Sequence, residues 1–147
     1  MKAKVTNLPD EDHVMRYVPW ARLRRDEDDN VLGFLGEEFQ LRPKEESLSV
    51  NWLEYFEGER DEKIRLSVKA FRNTITVGAK SAFGIGNVGK IKEICRSNGA
   101  TVRIIYEPTH DNPSHSGIRR LPRDDLSLLE ALAADGFVEL VQNTAIP

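Results

Sequence analysis

The amino-acid sequence predicts a single α+β domain in which about three helices pack on a mixed sheet. The first observation is length, because 147 residues are enough for one domain with a proper core. The second is composition, since 39% hydrophobic and 31% charged residues are typical of a soluble globular chain. The third is that short alternating stretches and longer stretches of helical period follow one another. We place one domain over residues 1–147 and expect any loose ends to fall in residues 1–12 and 143–147.

Alternating, β-branched segments predict the strands of the first half. Residues 13–18 alternate and are rich in Val and Tyr, which favours a strand. A second strand is expected over residues 31–35, after a charged turn, and a third over residues 39–41. Residues 47–56 fit no single period, so we expect a strand through Asn51 and then a turn or short helix.

Helical spacing and capping residues predict three helices. Residues 59–73 place their apolar side chains on one face. Asn87 is suited to cap a second helix that ends at Gly99. Asp124 is suited to cap a third helix that ends at Gly136.

The remaining segments of the second half of the chain predict three strands and a loop. The clearest strand of the chain covers residues 101–106. Residues 74–77 are β-branched and brief, which predicts a strand, and residues 137–141 predict an edge strand. Residues 107–123 are polar and predict a long loop.

Charge and cysteine usage limit the classes of function. The formal net charge of −3 and the pI of about 5.7 argue against a dedicated nucleic-acid or anionic-membrane binder, which needs surplus Lys and Arg. The single cysteine, Cys95, excludes an internal disulfide and fits a reducing compartment. No apolar run approaches the roughly 18 residues that span a bilayer, and the first residues lack the apolar core of a signal peptide. We expect a cytoplasmic protein that binds no membrane and whose main ligand is not nucleic acid.

A glycine-rich string matches the spacing of a dinucleotide-binding fingerprint. Gly84, Gly86 and Gly89 precede a predicted helix, and Glu107 closes the strand that follows it. However, the preceding strand does not run directly into the first glycine. The chain after Glu107 has one predicted helix and no clear βαβ repeat to complete the sheet. We therefore interpret the match as a fortuitous glycine-containing turn, and the sequence identifies no cofactor.

A second candidate site centres on residues 108–117, which hold two of the three histidines among hydroxyl and turn-forming residues. Histidine suits proton transfer near neutral pH, and loops held by a scaffold often carry sites. Two upstream strands add further polar groups. The candidate catalytic residues are His13, Arg16, Ser49, Asn51, His110 and His115.

If the fold brings these residues together, they form a site for a nucleotide or another phosphorylated substrate. His110 or His115 is then the general acid or base, Arg16 holds the anion, and Ser49 or Asn51 orients it. The alternative is an ordinary turn whose histidines bond their own backbone.

Three other charged or ligating sets carry weaker signals. A zinc site from His13, Cys95, His110 and His115 lacks CxxC or HExxH spacing, so no metal site is predicted. Arg22, Arg24 and Arg25 are neutralised by the acidic run after them. The set Arg119, Arg120 and Arg123 lies beside the histidine loop and is either a steering patch for an anion or surface charge.

Three segments resemble a family of small bacterial proteins without an assigned activity. They are HVMRYV from His13, LSVNWLEYF from Leu48 and DNPSH from Asp111. This resemblance implies a bacterial origin. A His-led strand followed by a Ser-containing strand also resembles the ADP-ribosyltransferases, which implies an NAD pocket. Glu54 and Glu107 are the candidates for the catalytic glutamate of that pattern.

The leading functional hypothesis is a non-enzymatic accessory or protein-interaction protein. Trp52, Tyr55 and Phe56 would form the contact with a protein partner, because aromatic anchors dominate interfaces. A homodimer is left open. The alternatives are the small enzyme with the His/Arg/Ser site and dinucleotide binding at the glycine string.

Overall fold

The computed structural model describes residues 6–147, so part of the end expected to be loose, residues 1–5, lies outside the described residues. The strands are β1 (Thr6–Asn7), β2 (His13–Val18), β3 (Leu23–Arg25), β4 (Val31–Phe34), β5 (Ser47–Trp52), β6 (Ala82–Asn87), β7 (Arg103–Tyr106), β8 (His115–Arg119) and β9 (Glu139–Gln142). The helices are α1 (Arg60–Thr74), α2 (Val88–Ser97) and α3 (Leu126–Ala131), and a π turn (Leu132–Gly136) continues α3.

Within residues 6–147, seven strands form the main sheet in the order β1-β7-β8-β5-β2-β6-β9, and β3 and β4 form a small second sheet. Every pairing among the described strands is antiparallel. The predicted α+β fold with about three helices is confirmed, but the sheet is antiparallel in all described pairings, where we predicted a mixed sheet. The unit β6-α2-β7 does not make an adjacent parallel pair, because β2, β5 and β8 lie between its two strands.

The sheet is covered unequally on its two faces. A large apolar core unites α2, α3 and residues of β2, β5, β7 and β8 on one face. On the other face a smaller core joins α1 to β2 and β6, through Val68 and Phe71 of the helix and Met15, Phe83 and Ile85 of the strands. Next to this smaller core, β5 and β8 present polar side chains beside the last turn of α1. This part of the sheet holds the site described below.

The helix predictions are confirmed, with one shift. The side chain of Asn87 accepts a hydrogen bond from the backbone of Lys90 at 2.9 Å, and Gly99 ends α2 with a φ of +80°. The third helix is capped by Asp125, not Asp124. Leu126, the first residue of the helix, is 72% exposed, whereas Leu128 and Leu129 are buried.

Three strand or loop predictions are wrong. Residues 115–119 of the predicted loop form β8, which lies inside the sheet; its His-Ser-Gly start is polar, and pairing with both neighbours, not local propensity, makes it a strand. Residues 74–77 are not a strand, because α1 continues to Thr74. Residues 39–41 are not a strand either, since a 3-10 turn covers Gly36–Phe39.

Both described chain ends contact the rest of the domain. Thr6 and Asn7 pair with β7. Near the other end, the Arg72 guanidinium donates to the carbonyl oxygens of Asn143, Ile146 and Pro147. None of the described helices combines the length and the apolar character needed to cross a membrane.

Candidate functional site

A cavity of about 430 Å³ opens where β5 and β8 meet the end of α1; we call it the cleft. Four of the six predicted catalytic residues line it, and His13 and His110 do not. The lining residues are Arg16, Tyr17, Pro19, Glu38, Arg42, Glu45, Ser49, Val50, Asn51, Phe71, Thr74, Ile75, Thr109, Asp111, Asn112 and His115.

Ser49 and His115 form a hydrogen-bonded pair at the cleft. The Nε2 atom of His115 lies 3.2 Å from the Ser49 Oγ, and its Nδ1 lies 2.8 Å from the carbonyl oxygen of Glu107. A carbonyl oxygen can only accept, so Nδ1 must carry the proton of the neutral ring. Nε2 then holds the lone pair, and the Ser49 hydroxyl donates to it. The contacts therefore fix the tautomer that a general base needs.

Sheet register brings this pair together. Asn51 of β5 lies opposite His115 of β8, and Ser49 lies opposite Gly117. Ser49 and His115 are therefore diagonal neighbours on one face, within reach of each other's side chains. Neither strand alone predicts this contact, since the two segments are far apart in sequence.

The backbone of Glu107 holds His115 in place through two hydrogen bonds. Its N–H donates to the carbonyl oxygen of His115 at 3.0 Å, while its own carbonyl accepts from the ring. Its carboxylate accepts from the Arg119 Nε at 2.7 Å and from the Ser47 Oγ at 3.2 Å. A Cβ at Gly117 would overlap this carboxylate, so the glycine makes room for Glu107. Glu107 is thus a structural anchor whose carboxylate is engaged by Arg119 and Ser47.

Arg16 lies where β2 and β5 separate. The two strands pair only at Val14–Trp52 and Met15–Asn51, and beyond them the Arg16 Nη1 donates to the Ser49 carbonyl at 2.7 Å. Its Nη2 donates to the Glu38 carbonyl at 3.1 Å and lies 3.2 Å from the Glu38 carboxylate. The side chain thus takes the place of the missing strand contacts.

The Arg16–Glu38 pair is largely shielded, with 15% and 10% of the two side chains exposed. Burial lowers the pKa of the Arg16 guanidinium and raises the pKa of the Glu38 carboxyl, and the opposite charge of each partner works against these shifts. The Arg16 Nε is buried without a hydrogen-bond partner among the described residues. Because its two terminal nitrogens are already engaged, Arg16 fits a structural role better than the anion-holding role that the sequence predicts.

Asn51 belongs to a buried network of amides and hydroxyls. Its Nδ2 donates to the Ser67 carbonyl at 3.2 Å, and its Oδ1 accepts from the Asn112 Nδ2 at 2.8 Å. The Oδ1 of Asn112 accepts in turn from the Ser114 Oγ at 2.7 Å. The network ties β5 to α1 and to the loop before β8. Both polar atoms of the Asn51 side chain are therefore engaged in hydrogen bonds that hold the wall of the cleft.

The two histidines outside the cleft have different surroundings. The Nδ1 of His13 lies 2.7 Å from the Glu54 carboxylate, which also accepts from the His13 N–H at 2.7 Å. Glu54, one of the two candidate glutamates of the ADP-ribosyltransferase pattern, is thus paired with His13. His110 is exposed on the loop before β8.

The glycines of the string are packing positions. Gly84 and Gly86 lie in β6, not in a turn as we predicted, and Gly89 lies in the first turn of α2. A Cβ at Gly84 would be 2.9 Å from the Phe34 ring, and one at Gly86 would be 2.7 Å from the Gly136 carbonyl oxygen. The glycines therefore allow the sheet to approach its neighbours closely.

The sequence missed several cleft residues, chiefly Glu38, Arg42 and Glu45. The backbone around Arg42 is held by Arg123, whose Nη1 donates to the Arg42 carbonyl at 2.7 Å and whose Nη2 donates to the Glu45 carbonyl at 2.6 Å. No local signal could have found these residues, since the separation of β2 from β5 that admits them is a tertiary feature.

The described residues contain no group of three or more His, Cys, Asp or Glu side chains placed to hold a metal ion. The arrangement at the cleft can instead perform proton transfer at an accessible hydroxyl. Comparison of the chain with protein-family models, with curated proteins and with solved structures found no match to any of them.

Proposed function

We propose that the protein is a small enzyme of the bacterial cytoplasm that binds a polar organic molecule in the cleft, with His115 as its general base. The observation that supports this most is the Ser49–His115 pair in the lining of a cavity of about 430 Å³. That volume is in the range of small-molecule sites. The bacterial origin rests on the resemblance of three segments, and the cytoplasmic location on the single cysteine.

The charges of the cleft favour a neutral or zwitterionic ligand. The lining has two arginines, Arg16 and Arg42, against three carboxylates, Glu38, Glu45 and Asp111. Arg16 is already paired with Glu38. A phosphorylated substrate would therefore meet one exposed arginine and two carboxylates, which disfavours a dianion. A ligand with one positive and one negative group is matched better.

One wall of the cleft is apolar. Tyr17, Phe71 and Ile75 contribute to it, and Ile75 is 43% exposed at the rim. The exposed Ile75 side chain, next to the polar residues of the cleft, offers a surface on which the apolar part of a ligand can be buried. We therefore expect a ligand with an apolar portion next to its polar groups.

Fragment binding tests this proposal. We expect saturation-transfer NMR against a library of neutral, zwitterionic and phosphorylated fragments to find binders mainly in the first two classes. Ile75→Trp places a large ring at the cleft rim and should abolish their binding. Val138→Trp, at a site that is 71% exposed and outside the cleft lining, is the matched control and should leave binding intact.

Two results would contradict the proposal. One is a set of binders that Ile75→Trp does not affect, because these would occupy another surface. The other is a predominance of phosphorylated fragments, which would reverse the charge argument. The melting temperature of each variant shows whether a loss of binding reflects a loss of fold.

An aromatic cluster supports a second candidate, the contact with a protein partner. The Trp52 ring lies 5.3 Å and the Tyr55 ring 6.3 Å from the Tyr106 ring, between centroids, and Phe56 packs on Tyr55 at 5.2 Å. Tyr55 is 39% exposed. Trp52 is partly buried against the large core, and its Nε1 donates to Asp12 at 2.9 Å. Tyr55 is thus a better anchor than Trp52 for a partner.

The partner hypothesis is tested with Tyr55→Ala. A protein that crosslinks to the native chain in bacterial lysate should be lost with Tyr55→Ala and kept with Leu126→Ala, an exposed apolar control far along the chain. Trp52→Ala should also lower the free energy of unfolding, because it removes a side chain that packs against the large core. Equal capture by all variants would rule out this surface.

A further inference from the structure

We propose that Ser49 is a nucleophile activated by His115, so that the cleft transfers the acyl group of a small ester to water. This inference rests on the proposed function, because it requires the ester to bind in the cleft. It assigns Ser49 a covalent role in place of orienting a substrate.

The first support is the direction of the hydrogen bonds. The Glu107 carbonyl keeps the proton on Nδ1 of His115, and Nε2 faces the Ser49 Oγ at 3.2 Å. A nucleophile, a base and a third group that orients the base are the parts of an activated serine. The separation of 3.2 Å is at the long end of a hydrogen bond, as is common without a bound substrate.

The second support is accessibility. Ser49 is exposed and lines the cleft. Ser47 lies two residues earlier on the same face of β5, but its Oγ donates to the Glu107 carboxylate, not to an imidazole. Ser67, which is buried, is tied into the network of Asn51. Ser49 therefore combines an exposed hydroxyl with a correctly oriented base.

Both members of the pair are held by backbone contacts. The Arg16 Nη1 donates to the Ser49 carbonyl at 2.7 Å, which fixes this point of β5 beside the gap. The Glu107 carbonyl and N–H hold His115 on β8. Arg16 and Glu107 are thus positioning residues. Such support keeps a nucleophile and its base aligned before the substrate arrives.

The reaction has two steps. The Ser49 Oγ attacks the ester carbonyl carbon while His115 Nε2 takes the hydroxyl proton. The tetrahedral intermediate then collapses, the bond to the alcohol oxygen breaks, and the imidazolium protonates the departing alkoxide. In the second step His115 takes a proton from water, and the hydroxide attacks the acyl-serine. Collapse releases the carboxylic acid and returns the proton to Ser49, so no oxidant or other co-reactant is required.

The test uses p-nitrophenyl acetate, whose good leaving group demands little stabilisation of the intermediate. We expect an initial burst of p-nitrophenolate equivalent to the protein, and an acetyl adduct that peptide mapping places on Ser49. Ser49→Ala should remove the burst and the adduct, whereas Ser47→Ala should keep both. His115→Ala should slow acylation by about 100-fold or more, and added imidazole should restore part of the rate, which a merely structural role would not allow.

Acetylation confined to lysines, or unchanged acylation rates in Ser49→Ala and His115→Ala, would overturn the inference. If Ser49 stays unmodified while fragments still bind and Ile75→Trp still blocks them, the acyl transfer fails and the binding cleft stands. If fragment binding is absent as well, both fail. Ser49 is exposed, so its alanine variant removes no buried contact.

Discussion

A side chain at position 86 would collide with backbone. The ideal Cβ lies 2.7 Å from the carbonyl oxygen of Gly136 and 3.0 Å from the Ile91 side chain. The carbonyl belongs to the π turn after α3, which cannot yield as a flexible side chain would. Gly86 therefore sets how closely the turn approaches β6. The glycine spacing of the string reflects this packing and needs no cofactor to explain it.

At the scale of this residue, Gly86→Ala should lower the free energy of unfolding by about 1–3 kcal/mol, the usual result of overpacking. Urea denaturation measures it. Gly33→Ala is the control, because nothing lies within 4 Å of its ideal Cβ, and should change stability by less than about 1 kcal/mol. A Gly86→Ala protein as stable as the native one would contradict the packing role. Saturable NAD binding that is lost with Gly86→Val would support dinucleotide binding at the glycine string instead.

Among the elements, the connection from β7 to β8 is the one that positions the base. It leaves β7 at Tyr106, whose hydroxyl donates to the Pro113 carbonyl at 2.7 Å. Asn112 anchors its middle by donating to the buried Asn51. The connection also bonds itself, since Thr109 and Asn112 exchange backbone hydrogen bonds. A polar loop is ordered here by buried partners, so His115 begins β8 in a fixed place.

Asn112→Ala should destabilise the protein by about 1–3 kcal/mol, because it leaves the buried Asn51 Oδ1 without its donor. We also expect faster hydrogen exchange of residues 107–115 and a lower rate of Ser49 acylation. His110→Ala, in the same loop but exposed, is the matched control and should change neither property. If the two variants behave alike, the loop does not depend on the amide network.

On the scale of the whole molecule, the site follows from unequal coverage of one sheet. Helices and the small sheet cover one face broadly, while α1 packs over β2 and β6 on the other. The polar residues of β5 and β8 are therefore left beside the end of α1. Their partial exposure is a consequence of the strand order, which places β5 beside β2 and β8 beyond β5, outside the smaller core.

Local sequence patterns were sufficient to predict the helices and β2, because helix caps and alternating hydrophobicity depend on residues that are close together in the sequence. They were insufficient for β8, whose polar start becomes a strand only between β5 and β7. At the site, the residue types His115, Ser49, Arg16 and Asn51 could be chosen from the sequence. Their roles could not, because the Arg16–Glu38 pairing and the Asn51–Asn112 bond join distant segments.

The position of β5 in the sheet also affects how the chain acquires its structure during synthesis. One edge of β5 pairs with β2, which is made before it, but only at two positions. Its other edge pairs along its length with β8, and residues 53–114 separate the two strands. Closing so long a segment is entropically costly, and contacts of this range slow folding. On the ribosome, β5 must therefore wait with one edge open until β8 has emerged, and during that interval it is exposed to chaperones and to pairing with other chains.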